Sequence, residues 1–363
     1  MAMTTATEPD LESPQPRSRR RYWAMVAGAT LAFIAIGWSI GWVLLAIHLR
    51  SGIDGWMDVR RAMGERLTHG DRVLDGFPLR IRLTYANVAW ERVDGPRSLA
   101  AATDQLVVWA EPWAPTTLRV ATDRPVTGSW TAPSMTATLT ATTADGAIAL
   151  EPGQLDHLEL TLDQAVAVDA DRRVIARADR IAIQADPTPG AEIGAGGIPT
   201  TLTFALSADG FDPADLITPL IPFEGPADGR IKATVRGPLP IAFAPTDLAL
   251  WRDSGGVIDV EHFGLNWRPL DLTADGTVTL DGLMRPQGAA TAEIRGLPAM
   301  IDRAERQGLV QSDLAAVLRL AAAAFTRTAS DGGSPSVQAP VTIQDGSLSL
   351  GPFPVLAVPS VIR

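Results

Sequence analysis

Four histidines, His48, His69, His157 and His262, are the first residues to weigh for chemistry, because imidazole near neutral pH binds metals and moves protons. His157 and Glu159 stand two apart, so on a strand they share one face. Glu261 adjoins His262, and two such pairs could meet around a metal. Nothing in the spacing demands it, and surface or hydrogen-bonded histidines are the plainer expectation. Asp169 with Asp171, and Asp212 with Asp215, lack the rest of a calcium loop and read as solvated turns. Lys232 is the only lysine and follows isoleucine, so no phosphate-binding Gly-Lys loop exists. No G-x-S-x-G, H-E-x-x-H or G-x-G-x-x-G pattern occurs. With no cysteine, thiolate catalysis, disulfides and Cys-ligated metals are excluded. No catalytic residue, cofactor or metal is therefore expected. A net charge of −10 with no basic block beyond the N-terminus argues against a nucleic-acid partner.

The strongest signal is physical. Met1 to Pro16 is polar and reads as a disordered tail. Arg17, Arg19, Arg20 and Arg21 follow, and then Tyr22 to Ile47 carries no charge. A helix of that length spans roughly 39 Å, beyond the ~30 Å hydrocarbon core. Tyr22 and Trp23 at one end and Trp42 near the other suit the two interfaces. A membrane helix over 22–49 is expected, with 1–21 cytoplasmic and 50–363 in the periplasm, because arginines stay inside. A cleaved signal peptide is the rival, but its apolar core would be shorter and Ser39-Ile40-Gly41 is a poor cleavage site. Gly37 and Gly41 form a G-x-x-x-G pair that could bring two such helices together as a homodimer.

Beyond the span, Trp56, Val59, Met63 and Leu67 fall near one helical face, so a short amphipathic helix over 54–68 is expected, packed on the first strands rather than laid on the bilayer surface because it is short, with Gly70 as its stop. The period then changes to two. In Phe77, Leu79, Ile81, Leu83 and Tyr85 every second residue is apolar or aromatic, which is the mark of a strand with one apolar face. These five, with Trp90 and Trp109, form a candidate apolar groove. Strand-like runs recur to residue 350, including one over 248–251, and helices are expected over 213–220, 298–307 and 312–328, the last capped by Ser312. Asp-Gly pairs at 145, 209, 228, 275, 281 and 345 suggest tight hairpins, and four of them read Ala-Asp-Gly. The loop at 187–199 could divide two β-rich halves, and another is expected at 331–336.

Gly76-Phe77-Pro78-Leu79, the glycine-rich stretch 281–296, Pro340-Val341-Thr342-Ile343-Gln344-Asp345-Gly346, Leu350-Gly351-Pro352-Phe353-Pro354 and Pro359, together with the anchor, resemble DUF2125, an alphaproteobacterial family of unknown function. That family looks distantly similar to AsmA-like envelope proteins. The resemblance implies a mainly β fold: an anchor, an elongated, curved antiparallel sheet with an apolar concave face, helices near the membrane and near the C-terminus, and no catalytic residues to transfer. It implies a non-enzymatic role in binding or transferring membrane lipid or supporting envelope assembly. A structural scaffold with a closed core, meeting other envelope proteins through its strand edges, is the alternative. A hydrolase built on scattered carboxylates stands third.

Overall fold

The computed structural model describes residues 17–132, 135–151, 154–188, 190–192, 200–213, 225–238, 245–327, 336–351 and 353–361. The expected tail, most of the 187–199 linker and nearly all of the 213–220 helix and the 331–336 loop lie outside them.

Helix α1 (Arg17–Ala62) is one uninterrupted element that is long and apolar enough to span a membrane. It absorbs most of the short helix expected at 54–68. Gly52 and Gly55 each cost about 1 kcal/mol in a helix interior, too little to break it. It stops at Gly64 rather than Gly70. Gly64 takes φ 89°, and the Glu65 and Gly64 amides donate to the Arg60 and Arg61 carbonyls, the glycine-ended closure that satisfies the last turn. Trp56, Val59 and Met63 are exposed, and the buried stripe is instead Ala46, Leu49, Ile53 and Met57.

Everything after α1 is dominated by a single antiparallel sheet. Strands β1 (Arg66–Thr68) and β2 (Arg72–Asp75) lie end to end along β3 (Ile81–Asp94), which pairs over its whole length with β4 (Arg97–Glu111). The sheet then forks. One half of β4 continues into β5 (Ala114–Thr122) and β8 (Thr143–Glu151), the other into β6 (Val126–Ala132) and β7 (Met135–Ala141). Both branches rejoin on β9 (Gln154–Asp169). From there neighbours follow chain order through β10 (Val174–Pro187), β11 (Thr201–Phe211), β12 (Ala227–Arg236), β13 (Val257–Trp267), β14 (Leu270–Leu280) and β15 (Pro286–Arg295). The short β16 (Thr326–Arg327) and β15 flank β17 (Ser336–Gln344), and β18 (Ser347–Leu350) and β19 (Phe353–Ala357) end the sheet. Among the described residues no pairing joins β19 back to β2, so the sheet is open. Strands β10 and β11, on either side of the expected 187–199 linker, pair directly, so the sheet runs on past the expected division.

Three smaller helices complete the chain among the described residues: α2 (Pro245–Asp253), α3 (Leu297–Arg306) and α4 (Ser312–Phe325). The strand expected at 248–251 is part of α2. Four residues are too few for a period to separate the two states, and Pro245 opens the helix where a missing N–H costs nothing. Helix α4 packs on β17, and the Arg319 guanidinium ties it to Asp302 and Glu305 of α3.

The Ala-Asp-Gly motifs are not turns. All four lie inside strands β8, β11, β12 and β14. Two of the glycines are there because a neighbour is too close. A Cβ on Gly276 would sit 2.4 Å from the Ala289 carbonyl oxygen, and one on Gly146 would sit 2.7 Å from that of Glu159. The pairs at 281 and 345 are turns, as expected.

Candidate functional site

The seven residues expected to line a groove separate into three groups. Ile81, Leu83 and Tyr85 point to one face of β3 and are 0%, 0% and 3% exposed. Leu83 and Tyr85 form a cluster with Val108 onto which Leu49 and Ile53 of α1 pack, and Ile81 lines a cleft with Leu45 and Leu49 of the same helix. Trp90 joins this face although it breaks the odd-numbered series. Asn87 takes φ 49° and shifts the alternation, so Val88 packs on the same cluster and Trp90 lies opposite the buried Leu67. The Trp90 indole N–H donates to the Glu65 carboxylate at 2.7 Å. Trp109 lies opposite Arg82 and so belongs to the other face. Phe77 and Leu79 precede the strand in an exposed turn. These seven residues therefore do not line one open groove.

The register reveals a longer feature. Directly opposed residues of an antiparallel ladder share a face. From β3 to β17 one such row reads Leu83, Val108, Val120, Gly146, Leu160, Ile183, Leu206, Ile231, Phe263, Ala274, Ala292 and Ala339. No member is polar. Eleven strand-to-strand steps at ~4.8 Å make a track of roughly 53 Å. Its two ends are buried, under α1 and beside Ala322 of α4. Its middle, from Val120 to Phe263, is half-buried, and Leu206 is 38% exposed. Next to the α1 end, Leu45, His48, Leu49, Ile81, Ala110, Pro115 and Thr116 line a partly open cleft between the helix and β3–β5. Sequence periodicity marks each strand's apolar face but not which residues line up across strands, so this row was not visible in it.

The polar candidates do not converge. His157 bonds Asp186 at 2.6 Å and lies 3.9 Å from Glu159 on β9. That hydrogen bond, above all, raises its pKa, against a smaller opposing effect of burial. His262 is on β13, four strands away or about 19 Å. Its neighbour Glu261 is instead held by Lys232 at 2.6 Å and by the Thr234 hydroxyl at 2.8 Å. His69 stacks edge-on against Tyr85. The Asp169 carboxylate accepts the Asp171 and Arg173 amides, a turn-closing role, and Asp215 lies outside the described residues. Among the described residues no cluster of metal-ligating side chains occurs. Gly37 and Gly41 sit on α1 with open space around them.

Residues 42–359 match the model of DUF2125, a family described as uncharacterised protein conserved in bacteria. The chain belongs to the DUF2125 family. No curated protein and no solved structure matches it. The match opens at Trp42, whose indole N–H donates to the Arg80 carbonyl where α1 meets the sheet. Membership brings no residue roles, and the comparisons supply no link from DUF2125 to AsmA-like proteins.

Proposed function

We propose that this DUF2125 protein is anchored in the inner membrane by α1, stands in the periplasm, and holds lipid acyl chains along the apolar row of its sheet. One observation carries the reading: a track without polar members that begins beneath the anchor and is only part-buried through its middle. Isolated exposed apolar residues are ordinary, but a contiguous strip that keeps part of its surface in every member suits a ligand that would cover it. Each leaflet supplies about 15 Å of hydrocarbon, so the track outreaches one acyl chain about threefold. Each buried methylene contributes ~0.8 kcal/mol, which supports binding without any polar site. The cleft lined by Leu45, Leu49 and Ile81 is the natural entrance for a chain leaving the membrane. The arginines at 17, 19, 20 and 21 favour an N-terminus inside and the sheet outside.

The test is crosslinking of the full chain, in bilayers, to a phospholipid with a photoreactive group on its acyl chain. Adducts should map to Ile183, Leu206, Ile231 and Phe263. Labelling confined to α1 would refute the reading and leave a scaffold that meets envelope partners through its open edges.

A further inference from the structure

We propose that the Gly76–Arg80 turn is a second membrane contact, a wedge whose Phe77 and Leu79 side chains enter the interfacial layer of the bilayer beside α1. This rests on α1 spanning the membrane, but not on any lipid occupying the sheet.

The apolar alternation of the chain runs from residue 77 to 85, but burial does not follow it. Ile81, Leu83 and Tyr85 are at most 3% exposed, whereas Phe77 is 56% and Leu79 61% exposed. The turn is nevertheless fixed. The Trp38 indole N–H donates to the Pro78 carbonyl at 3.0 Å, and that of Trp42 to the Arg80 carbonyl at 2.9 Å. The Trp42 and Phe77 rings meet edge to face at 5.5 Å. Gly76 takes φ 97°, and a Cβ there would come 2.6 Å from the Arg80 oxygen, so the turn's conformation depends on glycine.

These bonds set the depth of the turn. Trp38 and Trp42 are one helical turn apart, about 6 Å along the axis. The sheet begins to bury α1 only near Trp42, which leaves Tyr22 to Gly41 as the free apolar stretch, roughly 30 Å and the thickness of a hydrocarbon core. Pro78 is therefore level with the last turn of that stretch. Irregular backbone at such a depth is tolerated only if its polar groups find partners inside the protein. Here the two indoles supply donors to Pro78 and Arg80, and the Arg80 amide donates to Gly76. A turn standing in water would need no such arrangement. The neighbouring β4–β5 turn carries Trp113, 60% exposed, and Ala110 opposite Ile81 puts it at the same end of the sheet. Arg80 is exposed at the base of the wedge, where lipid phosphates lie.

The absence of native cysteine makes the test direct. Full-length Leu79→Cys, carrying an environment-sensitive fluorophore, is reconstituted into vesicles of phosphatidylcholine and phosphatidylglycerol. The lipids bear a nitroxide either near the headgroup or near the chain end. The label at Leu79 should shift to the blue and lose most of its emission to the shallow nitroxide. Phe77→Cys is the second position, should the first variant fold poorly. A label at Phe33, 79% exposed on the free helix, should be quenched by the deep nitroxide, and one at Val93, at the far end of β3, by neither. Quenching at Phe33 but at neither turn position overturns the wedge and keeps the anchor. No quenching at Phe33 overturns both. Quenching at Val93 as well would mean that the sheet lies flat on the bilayer, which also overturns the wedge.

Discussion

At the α1 end of the sheet Ile81 and Leu83 are fully buried, whereas six strands away Leu206, in the same row as Leu83, is 38% exposed. The far end resembles the first in being covered, but with small residues: Ala292, Ala339 and Ala322 close it under α4. A sheet with one apolar face ordinarily needs a second layer across its whole width. Here the described helices protect the two ends of the row, and the middle rows of Ile183, Leu206, Ile231 and Phe263 keep part of their surface. The difference separates two uses of one face. The ends hold the fold together, and the middle is the part that the proposed acyl chains would cover.

The largest expected effect tests that separation. Leu83→Ala should lower stability by about 2–5 kcal/mol, because it removes buried methylenes and leaves a cavity under α1. Leu206→Ala should cost less than about 1 kcal/mol, since a side chain already part-exposed loses little. Chemical denaturation of the two variants measures both. Similar losses would erase the distinction between covered end and part-buried middle.

Next in size is the polar clamp at the covered end. Glu65 is 7% exposed, accepts from the Trp90 indole, and lies 3.4 Å from Arg60 and 4.0 Å from Arg92. Glu65→Ala strands the indole and removes the anion between the two arginines. The loss should be about 1–3 kcal/mol, below that of a fully buried pair because both arginines are about a third exposed. Hydrogen exchange should show β1 and the C-terminal turns of α1 opening first.

The Ala-Asp-Gly strands offer a smaller contrast within one motif. Gly276→Ala forces a Cβ against the backbone of Ala289 and Ala290 and should cost about 1–3 kcal/mol. At Gly229 an added Cβ would meet nothing within 4 Å, and its φ is not positive, so Gly229→Ala should be neutral or stabilising by up to about 1 kcal/mol. Paired melting curves decide it, and equal losses would show that the glycines serve something other than close strand approach.

These motifs also mark the boundary of what the sequence discloses. The alternation from Ile81 to Tyr85 identifies β3, and Ser312 followed by an apolar period identifies α4, because both signals are local. Asp-Gly fits a hairpin tip equally well by local rules, and only the neighbouring strand reveals Gly276 as a point of close approach. The same holds for the candidate groove. One residue of register decides whether Trp109 shares a face with Leu83 or with Arg82, and no pattern within a single strand fixes that offset. The positive φ at Asn87 then returns Trp90 to the helix side. The row across the sheet is a sum of such offsets, legible strand by strand only once the pairings are known.

The smallest effect concerns the other face of the part-buried middle. His157 lies two strands from Leu206, on the face opposite Leu158 and Leu160, and bonds Asp186 across β9 and β10. The Asp186 hydrogen bond holds its pKa above the ordinary ~6.5 of an imidazole, with Glu159 adding attraction. A raised folded-state pKa means that the protonated form is favoured by folding. Its contribution is therefore complete below about pH 6.5 and fades as pH rises through the higher folded-state value. His157→Gln should narrow its stability deficit against the unaltered protein across that window, by an amount kept small by solvent around the pair. Denaturant midpoints taken on both sides of neutrality would show it. A deficit constant with pH would mean that the imidazole serves only as a neutral hydrogen-bonding group. A midpoint shift that also weakened lipid crosslinking at Leu206 would couple the two faces of the middle, and their independence would fail there.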